Sequence, residues 1–288
     1  LPMSVGNSKN KKKLLQVIVI ALFFGFGAIA VGEKGRAFTE FVESASAISM
    51  YVMDAIIKLS PIGVFCLITP VVAENGPSVL GDLATVLLVA YAAYILHMVV
   101  VYSLTVKAMG GLSPIQFFKG MLPAILFAFS SASSVGTLPL NLECVQKLGA
   151  KKDVASFVLP LGATINMDGA AITITIMALS VANTLGVSVD VPTALMLSLM
   201  ATLGACGASG VAGGSLLLIP MACSLFGIPQ DISMQAVAVG MIIGVVQDSL
   251  ETAINSSGDV LFAATAEYRQ WQKDGREFKI GAIVNPDE

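Results

Sequence analysis

The sequence predicts an all-α polytopic membrane protein. Of its 288 residues, 56% are hydrophobic and 12% are charged, whereas about a quarter of an average soluble domain is charged. Apolar stretches of at least 18 residues recur, each long enough to cross a hydrocarbon core of roughly 30 Å. Several are too long for one straight helix, so we expect breaks or re-entrant segments. The stretches are 14–31, 44–73, 78–106, 154–189, 193–228 and 233–266.

Composition also limits the function. The net charge is −3, and no basic patch suggests a nucleic-acid partner. His97 is the only histidine and has no paired nucleophile, so it is interpreted as a core or interface residue rather than a proton relay. The four cysteines lie in or beside apolar runs without metal-ligand spacing and are interpreted as packing residues. They are Cys66, Cys144, Cys206 and Cys223.

The first 111 residues predict three spans joined by polar connections. A basic loop, 1–13, precedes span 14–31, and a charged connection leads to 44–73, where Pro61 should kink or split the helix. The sequence ENGP at 74–77 predicts a turn before the third span. The absence of an initiator Met or a signal peptide at the start indicates a fragment or a processed end.

Residues 113–148 predict a re-entrant helical hairpin. Two apolar arms of about 14 and 11 residues flank the serine-rich segment 130–136, and neither is long enough to cross a bilayer. Non-helical backbone at that depth is tolerated only where it lines a cavity or is buried in protein. One continuous span interrupted by proline is the alternative.

The second half repeats this plan weakly. Residues 193–228 contain GACGASGVAGGS, which either packs helices through small residues or, as we favour, forms the unwound tip of a second hairpin. In both halves a Leu-Pro or Ile-Pro pair follows the tip. A long helix then follows, which we expect to break at NMDG (166–169) or at NSSGD (255–259). Such repeats indicate a mid-membrane binding site of a secondary transporter.

The last apolar stretch carries a polar stripe. If Val245–Ala264 is helical, five polar side chains fall within roughly a 100° arc. An ionisable group facing lipid at mid-bilayer would cost about 2.5–3.5 kcal/mol, so the stripe must line a protein interior or a wet cavity. The stripe is therefore a functional-site candidate. Its members are Asp248, Glu251, Thr252, Asn255 and Asp259.

The acidic residues of this half lack basic partners in the sequence, because residues 154–266 contain no Lys or Arg. A bound cation should balance them. Asn and Asp oxygens, with carbonyls freed where the helices unwind at Gly162 and Gly258, suit an alkali or alkaline-earth ion. The acidic residues deep in apolar stretches are Asp168, Asp248, Glu251 and Asp259.

The same region offers groups for an amino acid. Backbone amides at Ser133 and Ser134, beside a helix N-terminus, would hold a carboxylate, and Asp248 would hold an ammonium group. The sequence therefore predicts an amino-acid site coupled to a cation. If both hairpins are re-entrant, most lysines and arginines from Lys107 onwards share one side with the C-terminal tail, and that side should be cytoplasmic.

The chain resembles the dicarboxylate/amino acid:cation symporters, which share the glutamate-transporter fold, over essentially all of residues 14–266. The motifs are SSASSVGTLPL, LPLGATINMDGAA, GASGVAGG and the final D-x-x-x-T-x-x-N-x-x-x-D. TINMDGAAITIT and QDSLETAINSSGDVLF are most similar to the bacterial sodium:serine/threonine branch. The resemblance implies a homotrimeric, elevator-type sodium symporter in the bacterial inner membrane.

The resemblance also implies a domain plan. Residues 1–75 would be partial scaffold helices for trimerisation, 76–272 the transport domain with hairpins 113–148 and 193–228, and 273–288 a cytoplasmic tail. Three further helices of the family would precede residue 1.

Residue roles follow from the resemblance as well. Ser133 and Ser134 would meet the substrate carboxylate and Asp248 its ammonium group, beside Thr252 and Asn255, while Val211 and its neighbours form the extracellular lid. One sodium site would comprise Gly162, Asn166, Asn255 and Asp259. A second would comprise Thr164, Met167 and carbonyls near Ala205, Cys206 and Ala208. Asp168 would belong to a third cation site, which an upstream helix completes in some members.

Three departures bear on the substrate. Glu251 stands where carriers of acidic substrates have arginine, and Ala132 and Ala170 replace a second arginine and a threonine. An acidic side chain would thus meet a carboxylate and be repelled, so small neutral substrates such as serine or threonine are expected. Other neutral or acidic amino acids are the alternative within this class.

Two other classes of protein compete with a symporter. An intramembrane aspartyl protease would pair Asp168 with Asp259 through a shared proton, but Ser257 takes the place of the first glycine in its Gly-x-Gly-Asp signature. A pure channel would leave the ammonium and carboxylate holders unexplained.

Overall fold

The computed structural model describes residues 79–208 and 213–275 continuously, and before them 20, 23–45, 47, 48, 51, 52, 62, 65, 69 and 73. Regular structure within these residues is entirely helical, which confirms the all-α fold class. Residues 23–31 and 36–45 are helical around a 3₁₀ turn at Gly32–Gly35. Pro61 and the predicted turn at 74–77 lie outside the described residues.

The remaining helices form two series that follow the predicted halves of the chain. The first series is α1 (Val79–Leu96), a π-helical turn (His97–Tyr102), α2 (Ser103–Gly110), α3 (Pro114–Ser131), α4 (Ser134–Lys147), α5 (Lys152–Ile165) and α6 (Asp168–Thr184). The second is α7 (Val191–Ala205), a 3₁₀ turn (Ser215–Leu218), α8 (Ile219–Cys223), a 3₁₀ turn (Ser224–Phe226) and α9 (Gln230–Lys273).

The first predicted hairpin corresponds to α3 and α4, which are separated by Ala132 and Ser133. Ala132 has φ 47°, a left-handed conformation that is uncommon for a residue with a Cβ atom. The next residue, Ser133, caps α4, because its Oγ accepts a hydrogen bond from the Gly136 N–H at 3.0 Å. The two arms share a buried apolar cluster that includes Ala124 and Cys144. Entry of this hairpin into a membrane stays a prediction.

The second predicted hairpin corresponds to α7 and to the segment from Gly213 to Gly227. Its arms pack closely, since a Cβ atom on Gly204 would lie 2.5 Å from the Met221 methyl carbon. Gly227, with φ 74°, ends the return arm in the left-handed conformation that glycine tolerates best. The tip residues 209–212 lie outside the described residues.

Of the two predicted helix breaks, the structure contains the first but not the second. Helix α5 ends at Ile165, and Asn166 and Met167 leave the helical conformation before α6 begins, which confirms the first break. The expected unwinding at Gly162 and Gly258 is wrong, because both residues are helical. Helix α9 bends instead by 82° between Gln230–Gly244 and Val246–Lys273.

Close packing explains why Gly258 is a glycine without being a break. A Cβ atom there would lie 2.5 Å from Asn166 Nδ2 and 2.9 Å from the Tyr102 hydroxyl oxygen. Similarly, a Cβ atom on Gly162 would collide with the Asp259 carboxylate. These glycines therefore let the polar residues of α5 and α9 approach one another.

Two buried apolar clusters lie on either side of the polar stripe. One joins α1 to α5 with the C-terminal part of α9, and the other joins α6, α7 and the second hairpin with the N-terminal part of α9. Within the described residues, two stretches, Ala84–Gly110 and Lys152–Thr184, are long and apolar enough to cross a membrane. The two arms of α9 together would make a third.

Candidate substrate and cation site

The polar stripe of α9 is buried, as the sequence predicts. Glu251, Thr252, Asn255 and Asp259 are each 5% exposed or less, and Asp248 is half-buried one turn earlier. Helical spacing therefore places five polar side chains along the contact of α9 with its neighbours. This confirms that the stripe faces protein.

Asn166 joins the break between α5 and α6 to the stripe. Its Nδ2 donates to Asp259 Oδ1 at 3.0 Å and to the Asn255 carbonyl at 3.4 Å. In the same region the Gly169 N–H donates to Asn255 Oδ1 at 2.8 Å. Three of the four residues predicted for the first sodium site thus meet around side-chain and carbonyl oxygens, and Gly162 packs against Asp259.

The hydrogen-bond donors around Asp259 leave one of its carboxylate oxygens without a partner among the described residues. Asp259 Oδ2 is buried and has no hydrogen-bond partner among the described residues. It lies beside a groove of about 310 Å³ that Gly162, Asn166 and Phe262 also line. A buried carboxylate oxygen without a donor is costly unless a cation or a proton satisfies it, so these residues fit a hard cation such as sodium.

Asp168 has partners that the sequence did not reveal. Its Oδ2 lies 2.9 Å from His97 Nε2 and accepts a hydrogen bond from the Tyr102 hydroxyl, while Oδ1 accepts from the Gly169 N–H at 3.1 Å. His97 and Tyr102 bracket the π-helical turn between α1 and α2. His97 is thus a half-buried partner of the polar site, not simply a packing residue.

Glu251 is the centre of a buried hydrogen-bond network. Its Oε2 accepts from Gln247 Nε2 at 2.6 Å, from Ser215 Oγ at 3.0 Å and from the Thr173 hydroxyl. Gln247 Nε2 also lies 2.5 Å from the Tyr94 hydroxyl oxygen, and all of these residues are 5% exposed or less. Neutral donors from α1, α6, the second hairpin and α9 therefore stabilise a carboxylate that has no basic partner among the described residues.

The two hairpins approach this region differently. Ser134, the first residue of α4, is buried, whereas Ser133 is half-buried and uses its Oγ for the cap. In the second hairpin the side chain of Ser215 reaches the polar stripe, since its Oγ lies 3.0 Å from Glu251 Oε2. Val211, the predicted lid residue, lies outside the described residues.

The residues predicted for the second sodium site are partly brought together. Met167, Ala205 and Ala208 belong to one buried cluster, and Met167 and Cys206 line a cavity of about 480 Å³ beside Asp168. Thr164 is exposed, and its hydroxyl donates to the Leu161 carbonyl at 2.7 Å.

The fold and the site together define a polytopic helical membrane protein whose acidic, oxygen-rich centre is buried between the broken helix α5–α6, the bent helix α9 and two hairpins. A sequence model of the sodium:dicarboxylate symporter family matches residues 1–268. The chain belongs to that family.

Curated relatives are named as transporters. A serine/threonine transporter from Bifidobacterium adolescentis is 47% identical over 263 residues, which cover 91% of this chain and 60% of the relative. Serine/threonine transporters from two strains of Streptococcus thermophilus are 41% and 40% identical over 268 residues, 93% of this chain and 66% of each relative. The chain thus spans 60–66% of the length of the relatives it matches.

Proposed function

We propose that this chain is the greater part of an elevator-type transporter that couples the uptake of small neutral amino acids, serine and threonine, to sodium. The observation that carries the proposal is Glu251, a buried carboxylate held by neutral donors. Family membership supports sodium coupling, and the names of the relatives support serine and threonine.

The substrate preference follows from the way in which Glu251 is held. The Ser215, Thr173 and Gln247 hydrogen bonds all go to its Oε2 atom. A substrate hydroxyl can also donate to this carboxylate, and a hydrogen bond to a charged group contributes about 1.5–3 kcal/mol. Alanine lacks the donor and should bind roughly tenfold or more weakly, while aspartate and glutamate should be repelled.

The same proposal assigns the remaining groups. Asp248 would receive the substrate ammonium group and the tip at Ser133 and Ser134 its carboxylate. Asp259, Asn166 and Asn255 would carry one co-transported sodium ion. The protein would be a homotrimer in the bacterial inner membrane. Its C-terminus would lie in the cytoplasm, since Arg269 and the other lysines and arginines of the tail follow the last apolar stretch.

Uptake by the full-length protein in proteoliposomes tests this function. An inward sodium gradient should drive saturable uptake of labelled serine, and a potassium gradient should not. Unlabelled serine and threonine should compete best, alanine less well, and aspartate least. Uptake without sodium would overturn the coupling, and strongest competition by aspartate would overturn the role of Glu251 in selectivity.

A further inference from the structure

We propose that Ser215 is the latch of the second hairpin. Its hydroxyl, donated to Glu251, holds the hairpin closed over α9 when no amino acid is bound, so that the empty protein can return for another substrate. The proposal rests on the transport function proposed above.

The contact itself is direct and buried. Ser215 begins the 3₁₀ turn that follows the hairpin tip, and its Oγ lies 3.0 Å from Glu251 Oε2. The two residues are 2% and 5% exposed. A hydroxyl that donates to a carboxylate inside such a water-poor site forms a stronger bond than it would at the surface.

The carboxylate is fixed from the other side. Thr173 on α6 and Gln247 on α9 donate to the same Oε2 atom, and Gln247 also bonds to Thr173 Oγ1 at 2.8 Å. Loss of the Ser215 hydroxyl would therefore leave Glu251 in place and remove the hydrogen bond that ties the hairpin to it. Among the described residues of the return arm, Ser224 also hydrogen-bonds through its side chain, but only to its own turn, at the Met221 carbonyl.

The latch uses the same carboxylate as the proposed substrate. Ser215 gives Glu251 a hydroxyl donor, which is the kind of donor that a bound serine would also offer. Closure of the hairpin without substrate is favourable for this reason.

A comparison of net uptake with exchange distinguishes a latch in the empty protein from a role of Ser215 in the loaded protein. Net uptake requires the empty protein to close and return, whereas exchange of internal for external serine moves only loaded protein. A change that opens only the empty state shifts the population of that state and leaves the loaded state alone. Ser215→Ala should therefore slow net uptake selectively.

The experiment uses the full-length protein in proteoliposomes at matched protein density. For Ser215→Ala we expect sodium-driven uptake into serine-free vesicles to fall about tenfold, equivalent to about 1.4 kcal/mol. Exchange in serine-loaded vesicles should stay within about twofold of the parent, which also shows that the variant is folded. Ser224→Ala, the matched control on the same hairpin, should behave as the parent in both modes. Equal loss in both modes, or no change in either, would overturn the latch.

A double-mutant cycle of thermal stability tests the latch if no transport can be measured. Absence of sodium-driven serine movement by the parent in both modes would contradict the proposed function, not the latch. The thermal stabilities of the parent, Ser215→Ala, Glu251→Leu and the double variant should then be compared without sodium or substrate. A latch predicts that the two changes are non-additive, because each removes the same bond. Additive effects would overturn it.

Discussion

Two long helical segments, α5–α6 and α9, each change direction about four turns after they begin. They do so by different means. After the 14 residues of α5, Asn166 and Met167 leave the helical conformation, with φ and ψ of −91° and 79° and of −116° and 55°. In α9 the arm Gln230–Gly244 turns by 82° while the helix continues. The first break takes two residues out of the helical conformation, whereas the second is a sharp bend among residues that stay helical.

The neighbours of each break explain the difference. Asn166 can leave the helix because its side chain bonds to Asp259 and Asn255 on α9. At the α9 bend, Leu216 of the second hairpin packs against Gly240 and Gly244, and the Tyr91 hydroxyl donates to the Val246 carbonyl at 2.6 Å. Sharp bends in helices arise where glycine or an inserted side chain disturbs the hydrogen-bond ladder. Polar residues therefore mark the break in the first half, whereas packing sets the bend in the second.

The largest expected effect comes from Gly169, where α6 touches α9. A Cβ atom there would lie 2.6 Å from the Glu251 carbonyl oxygen, which is backbone and cannot rotate away. Gly169→Ala should lower the free energy of unfolding by about 1–3 kcal/mol. Thermal unfolding of the purified protein measures this. Gly81→Ala, at a helical position with open space around it, should be neutral or stabilising, and equal effects of the two changes would contradict the packing argument.

The second prediction concerns the proposed sodium site and its α9 residue Asp259, which accepts a hydrogen bond from Asn166. Asp259→Asn removes the charge but keeps the shape and the bond from Asn166, so the sodium concentration for half-maximal uptake should rise about tenfold or more, with little change in folding. Sodium activation curves of serine uptake measure it. Glu143→Gln, which changes an exposed carboxylate 2.5 Å from Lys147, serves as the control. An unchanged curve for Asp259→Asn would contradict the cation site.

A smaller effect is expected at the α9 bend. Tyr91→Phe removes the hydroxyl that satisfies the Val246 carbonyl, and such a bond typically contributes about 1 kcal/mol to stability. We expect a modest fall in thermal stability and no change in the serine-to-alanine preference. Tyr51→Phe, at an exposed tyrosine, provides the comparison. A stability change no larger than that control would mean that packing alone maintains the bend.

The smallest effect is expected where the two hairpins begin. Asp190 caps α7 by accepting from the Thr193 N–H at 3.0 Å, whereas Ser113 makes no side-chain cap before α3. The pKa of Asp190 is lowered, most by a hydrogen bond from the Thr193 hydroxyl and less by one from the Thr193 backbone N–H. Because the pKa of Asp190 is lower in the folded protein, ionised Asp190 contributes to the stability of the fold. This stability is fully present above about pH 4 and is lost as the pH falls through the pKa of the folded protein. Asp190→Asn should therefore flatten the acid side of the stability curve slightly, and an unchanged curve would exclude this contribution.

The sequence by itself determined the helical fold, the tip of the first hairpin, the first break and the buried stripe. Hydrophobic length, glycine and serine clusters and helical periodicity are local signals, and each can be read within about 20 residues. The same signals predicted Asn166, Asn255 and Asp259 as cation ligands, and these three residues lie together in the fold. The local signals misplaced the second break, because Gly258 looks the same in sequence whether it unwinds a helix or permits close packing.

Only the tertiary structure decided what surrounds the acidic residues. The donors to Glu251 include Thr173 and Ser215, which lie 78 and 36 positions away in the chain, and Asp168 meets His97 from 71 positions away. Single polar residues inside apolar helices carry no periodic signal about which neighbour they will face. Their partners are set by how the helices pack, and that packing converts an isolated glutamate into a carboxylate held by neutral donors.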